Sequence, residues 1–109
     1  MEKATEEKIQ QLQMIEQGMQ NFAMQKQQFQ AQVIEIESAV KELEKTDTSY
    51  KIVGNIMVAA NKEELLKELK EKKEMLDLRL KTLEKQESNM KEKATAMQSE
   101  VMDNLKKSD

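Results

Sequence analysis

Cysteine, histidine and proline are absent from this sequence of 109 residues, glycine occurs twice, and Phe22, Phe29 and Tyr50 are its only aromatic residues. Each absence removes a class of function. Without Cys there is no disulfide frame, no thiol nucleophile and no thiolate metal site, and nothing points to an oxidising compartment. Without His the commonest general base and metal ligand is gone, and neither a Ser-His-Asp nor a Cys-His set can be built. Gly18 and Gly54 alone make no glycine-rich phosphate loop. Three aromatics supply little of the buried area a compact globular core draws on. The longest apolar run, Ile56–Ala60, is far too short to span a membrane, and Met1-Glu2-Lys3-Ala4 opens no signal peptide. A dominant charge sign is lacking too. The 18 basic and 21 acidic residues are mixed along the chain for a net charge of −3, without the basic face of a nucleic-acid binder. The expectation is a soluble cytoplasmic protein with no catalytic residues, no metal, no cofactor, no membrane and no nucleic acid among its partners.

What remains suits long helices. Hydrophobic residues make up 38% of the chain and charged residues 36%, a balance that favours regular helices over disorder when proline is missing. Leu12, Ile15, Met19, Phe22, Lys26, Phe29, Val33, Ile36, Val40 and Leu43 alternate three and four residues apart. This is the a/d seam of a heptad, with Lys26 as its one charged interruption. A second series keeps the rhythm through Leu66, Leu69, Lys73, Leu76, Leu80, Leu83, Glu87, Met90, Ala94, Met97, Val101 and Asn104. Two helices of roughly 45 residues, each about 65–70 Å long, are predicted. They cover about 3–46 and about 62–106 within a single domain, 1–109.

Between them Thr46-Asp47-Thr48-Ser49 competes with helical hydrogen bonding. Two β-rich tetrads, Tyr50-Lys51-Ile52-Val53 and Ile56-Met57-Val58-Ala59, then flank Gly54-Asn55. Gly54 supplies the positive φ that a two-residue hairpin turn needs, so a β-hairpin over about 49–60 is predicted. Asn61 offers an N-cap to the second helix, with Glu64 three residues on in capping-box position. The fold class is therefore mainly α: an antiparallel two-helix coiled coil with one β-hairpin between the helices.

The turn also sets a register. In a two-residue hairpin centred on Gly54-Asn55, paired positions add to 109, and the same rule holds along the two seams. Leu43 faces Leu66, Val40 faces Leu69, Val33 faces Leu76, Phe29 faces Leu80, Met19 faces Met90 and Leu12 faces Met97. Three layers are mixed: Ile36 with Lys73, Lys26 with Leu83, and Phe22 with Glu87. Either these stems lie over the seam with their charges in water, or they weaken the distal half, where Gly18 also lies, so that the arms flex.

Both sides of the hairpin are largely apolar, with Tyr50, Ile52, Met57 and Ala59 on one and Lys51, Val53, Ile56 and Val58 on the other. A hairpin with one face in water should alternate, and a two-stranded one is marginal with both edges open. Hairpins of several subunits joining into a shared β-barrel would satisfy it; folding back over its own helices is the alternative. Far from the hairpin, Met14, Met24 and Met102 fall off the seam, as do Ile9 and Leu105. Thioether side chains suit surfaces that accept many shapes, although scattered exposed apolar residues are also ordinary. Ten glutamines between Gln10 and Gln32 read as a solvated, uncharged helix face.

The wording becomes specific from Tyr50-Lys51-Ile52-Val53-Gly54-Asn55-Ile56-Met57-Val58 through Lys62-Glu63-Glu64-Leu65-Leu66-Lys67-Glu68-Leu69 to Leu80-Lys81-Thr82-Leu83. This stretch closely resembles the β-type subunits of prefoldin, archaeal ones in particular. Ala59-Ala60 departs from the charged or polar residues the family places at the end of the second strand. The resemblance implies a hexamer of two α-type and four β-type subunits, so an α-type subunit and further copies of this chain are expected partners. It implies a double β-barrel base formed by the hairpins, here Tyr50, Ile52, Val53, Gly54, Ile56, Met57 and Val58. It also implies ATP-independent binding of unfolded client proteins at the coiled-coil tips and their transfer to a group II chaperonin. Mapped onto this chain, the client contacts are Ile9, Leu12, Met14, Met97, Val101, Met102 and Leu105. The heptads alone equally fit a coiled-coil adaptor or scaffold without chaperone activity.

Overall fold

The computed structural model describes Glu2–Lys107. Helix α1 spans Lys3–Glu44, strands β1 (Ser49–Val53) and β2 (Ile56–Ala60) form an antiparallel pair, and helix α2 spans Lys62–Lys107. The helix ends carry the charges the macrodipole favours, Glu6 and Glu63-Glu64 in first turns and Lys41 and Lys106-Lys107 in last turns.

Each boundary has a local cause. Helix α1 stops at Glu44 because its last turn tightens: Lys45 N–H donates to the Glu42 carbonyl at 3.2 Å and Thr46 N–H to the Leu43 carbonyl at 3.3 Å. Thr46 Oγ1 then donates to the Thr48 carbonyl at 3.0 Å, which holds the chain out of the helix. Lys62 Nζ donates to the orphan Glu44 carbonyl at 3.4 Å. The turn between the strands has φ +61° at Gly54 and no positive φ at Asn55, the pattern of a type II′ turn with glycine first. Its ladder runs from Val53↔Ile56 to Ser49↔Ala60, in the register read from the sequence. Ser49 closes the open end by donating from Oγ to the Ala60 carbonyl at 2.8 Å and is itself buried. Asn61 Oδ1 accepts from Glu63 N–H at 2.9 Å and Glu64 N–H at 3.3 Å, and Leu65 N–H makes the first helical bond to the Asn61 carbonyl.

Backbone contacts divide the chain into two units. Gln28–Leu80 holds the hairpin and the adjoining stretches of both helices, packed antiparallel. Its seam buries Ile36 and Leu76, with Phe29, Val33, Val40, Leu43, Leu66, Leu69 and Leu80 half-buried. Lys73 reaches aside to Glu37 at 3.2 Å, so its stem covers the seam while its charge is paired in partial contact with water. Arg79 stands 5.9 Å from the Phe29 ring centroid, at the outer limit of a cation–π contact.

The other unit joins Met1–Gln27 to Lys81–Asp109. Leu83, Ala94 and Val101 are buried along its seam, and Thr5, at 3% exposure, is the most deeply buried residue named in either unit. Thr5 and Lys8 continue the three-and-four spacing below Leu12, so the seam runs a full heptad further than the apolar residues announce. Ile9 and Leu105, expected off the seam, are half-buried, whereas Met14, Met24 and Met102 are exposed. A Cβ at Gly18 would stand 3.1 Å from Cε of Met90, the movable end of a flexible side chain that need give only a few tenths of an ångström.

The two charged interruptions of this unit find each other. Lys26 Nζ lies 3.2 Å from Glu87 Oε1, and both side chains are a little over one-quarter exposed. The position rule set Lys26 against Leu83 and Glu87 against Phe22, but the lysine stem reaches one layer along to the carboxylate. Such a half-buried pair lies between exposed bridges, worth about 0.2–1 kcal/mol, and buried ones, whose disruption costs about 3–5 kcal/mol. Lys26→Met and Glu87→Met singly are each expected to destabilise the chain by about 1–2 kcal/mol. The double variant should return to the starting stability or exceed it, because two apolar side chains then complete the seam. Thermal melts followed by circular dichroism test this; two silent single variants would show the pair to be idle.

Candidate functional site

Two surfaces stand out, one in each unit. In the hairpin, β-branched and aromatic residues stiffen the strands, yet the chain does not cover them. Ile52 is 70% exposed, Met57 66% and Ile56 65%, and Tyr50, Val53 and Val58 are exposed as well. Ile52↔Met57 and Val53↔Ile56 are ladder neighbours whose side chains emerge on opposite sides, so both sides of the ribbon are apolar and wet. The Lys51/Val58 side leans toward α2, where Lys51 Nζ meets Glu68 Oε2 at 3.3 Å. A small cleft of about 220 Å³ remains there, with Ala59, Ala60 and Leu65 in its lining. Gly54 sits at the tip, and apart from its own chain neighbours no heavy atom lies within 4 Å of where its Cβ would be. Among the described residues the sheet has two strands and therefore two unpaired edges.

The second surface is a groove of about 540 Å³ in the other unit. Gln11, Met14 and Ile15 of α1 and Met90, Lys93, Ala96, Met97 and Glu100 of α2 line it. Its apolar lining comes mainly from three methionines and one isoleucine, side chains that adapt to varied shapes. Glu100 is engaged with Lys8 at 3.0 Å.

Of the seven tip residues singled out from the sequence, the groove brings together Met14 and Met97. Met14 is 71% exposed and Met102 57%, so these two offer the most free apolar surface. Leu12, Ile9 and Leu105 are half-buried, and Val101 is buried in the seam. Sequence reasoning missed Gln11, Lys93 and Ala96 as lining residues; polar and small side chains beside a seam carry no apolar signal. Among the described residues no group of three or more acidic side chains is placed to hold a metal ion, and no helix is long and apolar enough to cross a membrane.

The family model described as Prefoldin subunit (Prefoldin_2) matches residues 6–108. Prefoldin subunit beta of Archaeoglobus fulgidus is 39% identical over 100 residues, 89% of this chain and 86% of that protein. Prefoldin subunit beta of Pyrobaculum islandicum is 41% identical over 86 residues, 76% of this chain and 69% of its own length. The crystal structure of the prefoldin beta subunit from Thermococcus strain KS-1 superposes with a TM-score of 0.89 at 32% identity, covering 95% of this chain and 94% of that one.

Proposed function

The chain belongs to the prefoldin subunit family, and from that premise we propose that it is a β-type subunit whose hairpin builds a shared barrel and whose arm ends hold unfolded polypeptides. As a prefoldin subunit it is a chaperone component and not an enzyme, and it works within a hetero-oligomeric prefoldin complex alongside α-type subunits. The finer reading is a cytoplasmic hexamer of two α-type and four β-type subunits, with residues 1–109 acting as one domain. Met1, Ser108 and Asp109 of that range lie outside the described residues. The hexamer captures clients without ATP and passes them to a group II chaperonin.

The observation that carries this reading is the hairpin with two apolar sides in water. A lone two-stranded ribbon is marginal, and one exposing six large apolar side chains gains stability by burying them against other copies, at about 25 cal/mol per Å². Assembly through Tyr50, Ile52, Val53, Ile56, Met57 and Val58, turned by Gly54, satisfies the ribbon's edges as well. At the other surface, Met14 and Met102 supply the exposed client contacts, with Ile9, Leu12, Met97, Val101 and Leu105 beside and beneath them.

The native mass and subunit composition of the complex in the source cell's extract test the assembly. A species of six subunits is expected, with a second, longer helical partner present at one for every two of this chain. A monomer or simple homodimer would sink the barrel and leave a coiled-coil adaptor as the better account.

A further inference from the structure

The back of α1 carries a second heptad stripe that the seam does not explain. Gln10, Gln13, Gln17, Gln20 and Met24 follow one another at spacings of three and four, and all are exposed. Met14 and Asn21 flank the stripe and are exposed too. From Ile9 to Met24 the helix bears one charged side chain, Glu16, whereas the antiparallel stretch Lys85–Glu100 of α2 bears six. A solvated helix face usually carries alternating charges. This one presents amides and thioethers instead.

We propose that this uncharged back of α1 is a capture surface for unfolded polypeptide of low charge, continuous with the groove at Met14. The inference rests on the chaperone reading and says which helix does the holding. The chemistry selects the occupant. Each glutamine amide offers donors and an acceptor, which match the unpaired N–H and C=O groups of a chain without secondary structure. The methionines supply apolar contact that adapts to whichever side chains arrive. A membrane surface or a nucleic acid would need a row of cations, and the stripe has none. A single folded partner would anchor on Trp, Tyr or Arg, and none of these lies between Ile9 and Met24. With no counter-charge on the stripe, a highly charged segment loses hydration there without a partner, which favours segments of low charge.

The test places equal charge on either helix of the full chain within its assembled complex. One variant carries Gln13→Glu, Gln17→Glu and Gln20→Glu on α1; the other carries Ser88→Glu, Thr95→Glu and Ser99→Glu on the exposed side of α2. Glutamate is a good helix former, and circular dichroism with native mass verifies that both complexes remain intact. The probe is a denaturant-unfolded reporter protein, its binding measured by titration and by suppression of its aggregation. Capture is expected to weaken by about tenfold or more in the α1 variant and by less than about twofold in the α2 variant, because client segments must then lie against carboxylates that resist desolvation. Lysines at the same three α1 positions should weaken capture to a similar degree. Equal losses on both helices, no loss on α1, or a gain with lysine would each overturn the proposal. An unmodified complex that failed to hold the reporter would overturn the chaperone reading itself, a distinct result.

Discussion

Replacing Ile52 and Met57 with glutamate is expected to leave a chain with unchanged helicity that no longer enters any complex. The two residues are ladder partners, and both stand well exposed in the single chain. Substituting them removes almost no contact within the chain, so the far-ultraviolet spectrum and melting of the isolated subunit should hardly move. In an assembly whose barrel buries that side of the ribbon, each loses about 1.5–3 kcal/mol of apolar burial. Each also brings a carboxylate whose desolvation costs several kcal/mol. The penalty recurs in every copy of the chain. Native mass should fall to that of a single chain, and a mass unchanged from the unmodified complex would refute assembly through the hairpin.

The second large effect is the separation of holding from assembly. Deleting Met1–Ile15 together with Met97–Asp109 removes Met14, Met97 and Met102 and opens the groove. By the position rule the cuts fall nearly level with each other, so neither helix is left overhanging by more than about a turn. The seam from Met19 and Met90 inward, the Lys26–Glu87 pair and the hairpin are untouched. The truncated chain should assemble with its full number of subunits and lose its suppression of client aggregation. Full protection by the truncated complex would place client holding elsewhere.

Much of this is legible in the sequence, because one rule governs the chain. All twenty-two positions assigned to the two seams are buried or half-buried, and the ladder register is the one the Gly54-Asn55 turn dictates. Heptad spacing and turn chemistry are local signals, so a single sequence carries them. The failures occur where a side chain leaves its own layer. The position rule sets Lys26 and Glu87 in separate mixed layers, and only their reach in space unites them. Thr5 is polar and gives no hydrophobic signal, although its spacing from Leu12 and its mirror position to Asn104 both mark it. Ile9 and Leu105 border the seam, and their long side chains fold partway under neighbours, which spacing alone does not reveal. The hairpin's exposure was foreseen from its lack of alternation, whereas the groove required knowing which small and polar residues flank the methionines.

No large side chain in the described residues is sealed off completely; Ile36, Leu76 and Leu83 all keep a sliver of surface in solvent. In a globular interior, trimming such a residue leaves a closed void, and the void adds its own cost to the lost transfer energy. Along this seam every layer lies close to solvent, so a gap encloses less volume and the added cost is smaller than in a sealed core. Damage is then graded and confined to a layer or two. A change in one layer of the seam leaves the outward faces of both helices as they were, so those faces can be respecified one residue at a time.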